Sequence, residues 1–488
     1  NLWRASTGGL QRLPGTSPAG KEEFLPLAEG EASITALFED REGSLWIGTA
    51  RSGLFRLNDG DFLLWGMREG LSSSSARTVF QDHEGALWIG TDGGGLNRLF
   101  DGRVTHYSAA DGLPRDVVLA VYESSPGTLW IGTAGGGLSR FEDGRFTTFS
   151  TADGLSSAAV TCLFADRQQS LWIGTAGGLN RMRRGQLETF TTGDGLSSDI
   201  IRALLQDREG DLWIGTDAGL NRFRNGQITS FSTRDGLASD QILALHEDRD
   251  GILWIGTDAG LSRRTETGFV SYTRRQSLFN EGLRQILDDR EGRLWLCSND
   301  GLLSLSKGSL EEVRAGSGRR PDAEPLLSAR NLGCSGYNQP AAWQGEGGKL
   351  YFATDSGVLE LTPEELVPPP APPVVLERIL LGNRPVPPDG ALRLPAGSRD
   401  VEFHYTGLAL FRAAQVRFRY RLEPFDGEWI DAGTRRSARY TNLPTGSFVF
   451  RVAASAGGPW SPDEAVVRFE VPKPWYRTQA ALWVGLLL

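Results

Sequence analysis

The sequence predicts an all-β protein: a β-propeller of four-stranded blades followed by an immunoglobulin- or fibronectin-like β-sandwich. Three observations predict it. A Leu-Trp pair recurs with Trp3, Trp46, Trp88, Trp130, Trp172, Trp213, Trp254 and Trp295, and a Leu-Tyr version with Tyr351. Successive steps are 43, 42, 42, 42, 41, 41 and 41 residues and then 56, a regularity that signals a repeat architecture. After the repeats, the proline-rich Val367–Pro373 is a stiff, extended connector that marks a domain boundary.

Each period holds four extended segments, here called A to D. In the unit around Trp213, Ile201–Leu205 is apolar enough for a buried strand A. Asp211–Gly215 reads as B, Gly219–Phe223 as C and the alternating Gln227–Ser232 as D. Between A and B lies Asp207-Arg-Glu-Gly210, with Asp first and Gly fourth, which suits a type I turn closing a hairpin. Four antiparallel strands in one period make a propeller blade, and the aromatic of strand B packs one blade on the next.

Strand counting sets the ring size. The last copy has an A candidate (339–343), B (349–353) and C (357–361), then runs into Thr362-Pro without a D strand. An open sheet edge is a liability that propellers avoid by completing the last blade with a strand from the start of the ring. If Asp61–Trp65 supplies it, the ring has seven blades, and the Trp3 and Trp46 units are remnants of a preceding propeller. A ring of eight, closed by Glu23–Leu27, is the alternative. The expected domains are terminal blades of a truncated propeller (1–60), the propeller (61–366), the linker (367–373), the sandwich (374–474) and the start of a truncated transmembrane helix (475–488). Strands at 374–381, 400–405, 415–423, 439–442, 447–454 and 465–471 suit a sandwich.

Composition excludes some functions. The net charge of −9 carries no basic block, which argues against nucleic acid, because phosphate neutralisation needs clustered Lys and Arg. Cys162, Cys297 and Cys334 are odd in number and far apart, so they specify no disulfide framework. The four histidines, His83, His106, His246 and His404, show no metal-ligand spacing. No catalytic group, cofactor or metal site is expected. The Asp-x-x-Gly turns lack the further carboxylates and the closing Glu of a calcium loop. Arg56, Arg98, Arg140, Arg181, Arg222 and Arg263 recur in every copy, and a residue present in each blade cannot mark one site. The stretch 309–348 breaks the period with uncommon side chains, including Cys334, Tyr337, Asn338, Gln339 and Trp343, and an insertion on a regular scaffold is a fair place for function.

The units Asp-x-x-Gly-x-Leu-Trp-Ile-Gly-Thr-x-x-Gly-Leu, joined by Asp-Gly-Leu-Ser-Ser crossovers at 153–157 and 194–198, resemble the two-component regulator propeller repeats of bacterial membrane sensors. Residues 418–429, 432–436, 439–446 and 448–452 resemble the triple-tyrosine domain that comes after the propeller there. Tyr420 and Tyr440 match two of its naming tyrosines, and Phe448 stands where the third is expected. Cys334–Pro340 resembles a segment of the final blade of these sensors. The resemblance implies the extracytoplasmic, periplasmic part of an inner-membrane sensor. Such a sensor has one transmembrane helix and a cytoplasmic output module, a histidine kinase or else a diguanylate cyclase.

The function expected is therefore ligand sensing relayed through the sandwich, with a small-molecule or oligosaccharide ligand and a homodimer formed through the sandwich and membrane helix. In propellers the B to C and D to A loops share one face. Ser74, Asp116, Asp199, Asp240 and Glu281 each fall just before a strand A, so they are expected to ring the channel mouth on that face, together with Tyr337, Asn338, Gln339 and Trp343. Two alternatives are a secreted carbohydrate-active propeller enzyme, which needs converging carboxylates or a His with a base, and a protein interaction scaffold.

Overall fold

The computed structural model describes residues 3–6, 9–12, 23–26, 34–41, 44–50, 53–57, 62–273, 282–314, 321, 323–325, 332–336, 339–366, 370–382, 384–387, 392–394, 400–409, 413 and 416–472. The C-terminal stretch expected to enter a membrane, 475–488, lies outside them. Among the described residues no helix is long and apolar enough to cross a membrane.

The blade is built from one motif used repeatedly, and the blade around Trp213 shows how. Its strands are Ile201–Gln206, Leu212–Thr216, Gly219–Arg224 and Gln227–Phe231, hydrogen-bonded in that order. The Asp207 carboxylate organises the A to B turn from both of its oxygens. One accepts the Asp211 amide at 2.9 Å and the other accepts the Trp213 indole N–H at 2.7 Å. Both groups are buried, where an unmatched donor is costly. The same clasp joins Asp40 to Trp46, Asp82 to Trp88, Asp166 to Trp172, Asp248 to Trp254 and Asp289 to Trp295. Around Trp130 a serine, Ser124, takes the acceptor role at 2.9 Å.

The glycine after Trp-Ile is where blades touch. A Cβ on Gly90 would lie 2.5 Å from Val118 Cγ1, on Gly132 2.6 Å from Val160 Cγ1, and on Gly215 2.7 Å from Ile242 Cγ2. In each case the obstacle is the first residue of the next blade's strand A, so close approach and not backbone conformation demands glycine. The recurrent arginines stack on the indoles: Arg98 lies 5.7 Å from the Trp88 ring, Arg181 5.0 Å from Trp172 and Arg263 5.8 Å from Trp254. Such stacking is framework chemistry.

Seven four-stranded sheets of this kind occur among the described residues. Their A strands adjoin in sequence from Ala76–Gln81 round to Ala342–Gln344, which returns to Ala76–Gln81. The last blade takes Ala342–Gln344, Leu350–Thr354 and Gly357–Leu361 and completes itself with Leu63–Trp65, Val358 opposite Trp65. Trp65 Nε1 donates to Glu360 at 2.7 Å to lock the closure. Glu23–Pro26, the strand a ring of eight would need, pairs with Gly9–Arg12 instead. The ring therefore has seven blades, numbered here 1 (Trp88) to 7 (Tyr351).

Blades 6 and 7 depart from the repeat. A helix, α1 (Lys307–Arg314), interrupts blade 6 between its third strand and its short fourth one, Ala323–Pro325. Leu310 of α1 is fully buried with Trp254, Tyr272 and Leu294, which anchors the helix against blades 5 and 6.

The remaining described residues form two three-stranded sheets near the N-terminus and the sandwich. The former are Trp3–Ser6, Gly9–Arg12 and Glu23–Pro26, and Ile34–Glu39, Leu45–Thr49 and Leu54–Leu57. Leu10, Leu45 and Ile47 share a small core between them. The sandwich packs a four-stranded sheet (384–386, 374–381, 401–407, 437–440) on a five-stranded one (392–393, 465–471, 446–455, 417–423, 430–433). Phe403 stacks on Phe450 with ring centroids 3.9 Å apart, and Tyr405, Tyr420 and Tyr440 surround them. The Tyr440 hydroxyl donates to Asp426, whose carboxylate also takes the Leu422 amide.

Candidate functional site at the channel mouth

The face that carries the D to A crossovers and the B to C turns surrounds the mouth of the central channel. Each regular crossover folds as one 3-10 turn, such as Thr192–Asp194, with a capping box and a left-handed glycine behind it. The acidic residues expected to ring the mouth engage these turns. Asp116 accepts the Ala109 amide at 2.8 Å, Asp199 the Thr192 amide at 2.7 Å and Asp240 the Thr233 amide at 2.6 Å. All three are half-buried, and Ser74, in the corresponding place of blade 1, is exposed. Glu281, Tyr337 and Asn338 lie outside the described residues. Trp343 faces the seam between blades 7 and 1, its ring 4.4 Å from Phe80. Gln339 extends across the channel: its backbone N–H donates to Arg202 O at 3.2 Å and its side chain to Leu245 O at 2.8 Å. It thereby reaches from blade 7 to blades 4 and 5.

Three arginines absent from the expected set stand at this mouth. Arg77 and Arg202 are the second residues of their A strands, and Arg284 directly precedes strand A of blade 6. Arg77 pairs with Asp92, and Arg202 forms a two-point pair with Asp217 at 2.8 and 3.1 Å. Arg284 is 8% exposed and donates to Cys334 O at 2.7 Å. A signal for them exists in the sequence. The same register in the other blades holds Leu119, Thr161, Leu243 and Ser335, so the arginines are places where the repeat departs from itself. Arg202, Gln241, Leu243, Asp258, Arg284 and Asn299 line a cavity of about 450 Å³ spanning blades 4 to 6. Guanidinium, carboxylate and amide groups beside one leucine can bind a polar, hydroxyl-bearing molecule.

The opposite face carries charge clusters that are internally compensated. Asp207, Glu209 and Asp211 bring carboxylate oxygens within 4.8 Å of one another, and Arg224 and Arg264 pair with them. Between blades 5 and 6, Lys307 lies 2.8 Å from Asp248 and 3.2 Å from Asp288, and His246 lies 2.9 Å from Asp288. Burial on its own would raise the Asp288 carboxyl, but His246 and Lys307 outweigh it and hold it down to about 2. The other histidines sit singly: His83 on Glu123, His106 on Asn97, His404 beside Glu402. Burial pushes the Cys162 thiol up to about 12, which leaves it a packing residue.

Cys297 and Cys334 form a disulfide, with Cα atoms 5.8 Å apart across 37 residues. Spacing along the chain left the cysteines without an assigned pairing. The two meet because the ring sets strand B of blade 6 against the start of blade 7.

The sequence matches the family described as Two component regulator propeller at residues 29–51, 70–93, 112–135, 154–177, 195–218 and 236–259, and the Y_Y_Y domain at 412–471. The chain carries two-component regulator propeller repeats and a Y_Y_Y domain. Among solved structures, this propeller and Y_Y_Y chain is similar to the extracellular domain of the putative hybrid two component system BT3049 from B. thetaiotaomicron. The identity is 24% and the TM-score 0.72, covering 96% of this chain and 66% of that one. The extracellular domain of the putative hybrid two component system BT4673 from the same organism aligns at 19% identity and TM-score 0.53, covering 96% and 67%. The chain thus spans just under two thirds of the first of these. No functionally curated protein matches the sequence. The propeller matches end at residue 259, before the two blades that bear α1, Arg284 and the disulfide.

Proposed function

We propose that this region is the extracytoplasmic ligand-sensing part of a bacterial membrane signal-transduction receptor. The observation that carries the reading is the order of parts, two-component regulator propeller repeats and then a Y_Y_Y domain. That order accompanies a fold shared with proteins described as extracellular domains of two component systems. A disulfide between blades supports an oxidising compartment. In this reading the ligand is a small molecule or oligosaccharide held at the channel mouth. Binding there is relayed through the sandwich and a membrane helix, within a homodimer, to an output module. A histidine kinase is the first candidate for that module and a diguanylate cyclase the second.

The mouth suits such a ligand because its cavity combines cationic, anionic and amide groups from three blades, and sugar hydroxyls both donate and accept. Asp116, Asp199 and Asp240 form its rim, each bound to a crossover turn, Asp199 through both of its carboxylate oxygens. The test is calorimetry with oligosaccharide pools on the wild type, on Arg202→Ala with Asp258→Ala, and on Asp199→Ala with Asp240→Ala. Loss of binding in the first pair, with the fold intact by circular dichroism, supports the mouth as the site. Affinity unchanged in both pairs rejects it.

A further inference from the structure

In blades 1 to 4 the seam to the next blade is made by a glycine of strand B facing the first residue of the following strand A, as Gly215 faces Ile242, and in blade 5 Gly256 faces the carbonyl of Leu283 just ahead of the next strand A. Both positions depart from this pattern at two seams: between blades 7 and 1 they are Ala353 and Ala76, and between blades 6 and 7 they are both cysteines. Cys297 occupies the glycine position of blade 6, two residues after Trp295. Cys334 occupies the first strand A position of blade 7: it bridges Thr354, as Ile201 bridges Thr216 in blade 4. The glycine-to-isoleucine contact of the repeat has become a cysteine pair.

The segment after Cys334 also departs from the repeat. In blade 4 a single residue, Arg202, bulges between the paired Ile201 and Ala203. In blade 7 pairing resumes only at Ala341, whose carbonyl accepts the Ala353 amide at 2.9 Å. Six residues, Ser335 to Pro340, take the place of one. Their described members are held from several blades. Arg77 donates to Ser335 O at 3.1 Å, Ser335 Oγ donates to Ala76 O, and Pro340 O accepts the Val79 amide at 3.3 Å. Gln339 reaches Arg202 O and Leu245 O on the far side of the channel.

We propose that the Cys297–Cys334 disulfide is a redox-controlled pin for this channel loop: oxidation fixes its stem to blade 6 and so holds the loop across the channel between blade 7 and blades 4 and 5. Formation of the pin is a thiol–disulfide exchange with a disulfide donor, of protein or small-molecule type. Both cysteine sulfurs are oxidised as the S–S bond forms, the donor's S–S bond is cleaved, and the two protons leave on the donor's released thiols. With the pin open, the stem keeps its hydrogen bonds, among them those from Arg284 to Cys334 O, from the Cys334 amide to Ser298 O, from the Asp355 amide to Gly333 O and from the Ser335 amide to Ala353 O.

The test compares three proteins by hydrogen–deuterium exchange of the peptides covering 333–344: oxidised wild type, reduced wild type, and the double variant Cys297→Gly with Cys334→Ile. The variant restores the residues that the repeat uses at this seam, so it keeps the packing while removing the covalent bond. Exchange in these peptides is expected to rise about tenfold or more on reduction. The double variant is expected to show the faster rate with or without reductant, while peptides of blades 2 to 4 stay unchanged in all three. Alkylation under denaturing, non-reducing conditions is expected to label Cys162 alone. Labelling of all three cysteines in that experiment overturns the proposal, and so does exchange at 333–344 that neither reduction nor the double variant alters.

Discussion

Replacing Asp207 by alanine removes both acceptors of one A to B turn at once. The two donors it would strand, the Trp213 indole N–H and the Asp211 amide, belong to residues 1% and 2% exposed, so water does not replace the carboxylate. A buried donor left without a partner costs about 1–3 kcal/mol, and bonds to a charged acceptor fall in the upper part of that range. The nearby Arg264, 3.7 Å from Asp207 and partly exposed, adds little. The expected loss is about 4–6 kcal/mol for the pair of stranded donors. Asp207→Ser is expected to recover about half of it, because blade 2 makes the indole bond with Ser124 alone. The assay is urea unfolding followed by circular dichroism, with Trp213→Phe and the double variant completing a cycle that isolates the Asp–Trp coupling. A midpoint shift for Asp207→Ala equivalent to less than about 0.5 kcal/mol, the size of an ordinary surface substitution, refutes the clasp as the reason the motif repeats.

Other expectations rest on the same geometry. Gly215→Ala drives a methyl against Ile242 and is expected to cost about 1–3 kcal/mol, whereas Gly226→Ala at an open C to D turn with φ +79° costs about 1 kcal/mol through backbone strain alone; paired melting curves distinguish the two. Asp288 is held down to about 2 in the fold against a usual value near 4, so the stability it contributes is fully present above about pH 4 and is lost as pH falls toward 2. The penalty of Asp288→Asn, measured by denaturation at several pH values, is therefore expected to be largest near neutrality and to shrink toward pH 2. A penalty that stays constant between pH 6 and pH 2.5 contradicts the assignment. Tyr440→Phe removes the donor to Asp426 in the sandwich and is expected to lower sandwich stability by about 1–2 kcal/mol, read by unfolding of a fragment spanning the Y_Y_Y domain against the intact chain.

The blades were legible in the sequence because each is a local object. Strands, turns and crossovers within one period are set by side-chain alternation and by turn residues a few positions apart, and strand starts at Ile201, Gly219 and Gln227 agree with the periodicity. Even the ring closure through Leu63–Trp65 could be argued, since an unpaired edge in blade 7 demands a strand and the chain offers few. The short strands Arg384–Val386, Leu392–Arg393 and Ile430–Gly433 of the sandwich carry no such signal, being too brief to show a period.

Only the tertiary structure decided which residues face one another across blades. Arg77, Arg202 and Arg284 are 125 and 82 positions apart, and ring closure alone brings their registers to one channel mouth. Asp199 shows the converse. Its place before strand A was readable, but the commitment of its carboxylate to Thr192 depends on how the crossover folds back. The disulfide joins two positions that are meaningful only as the facing residues of one seam. Repetition along the chain encodes the blade, because each blade's strand-ladder hydrogen bonds are made within it; the site and its pin arise where unlike blades meet around a closed ring.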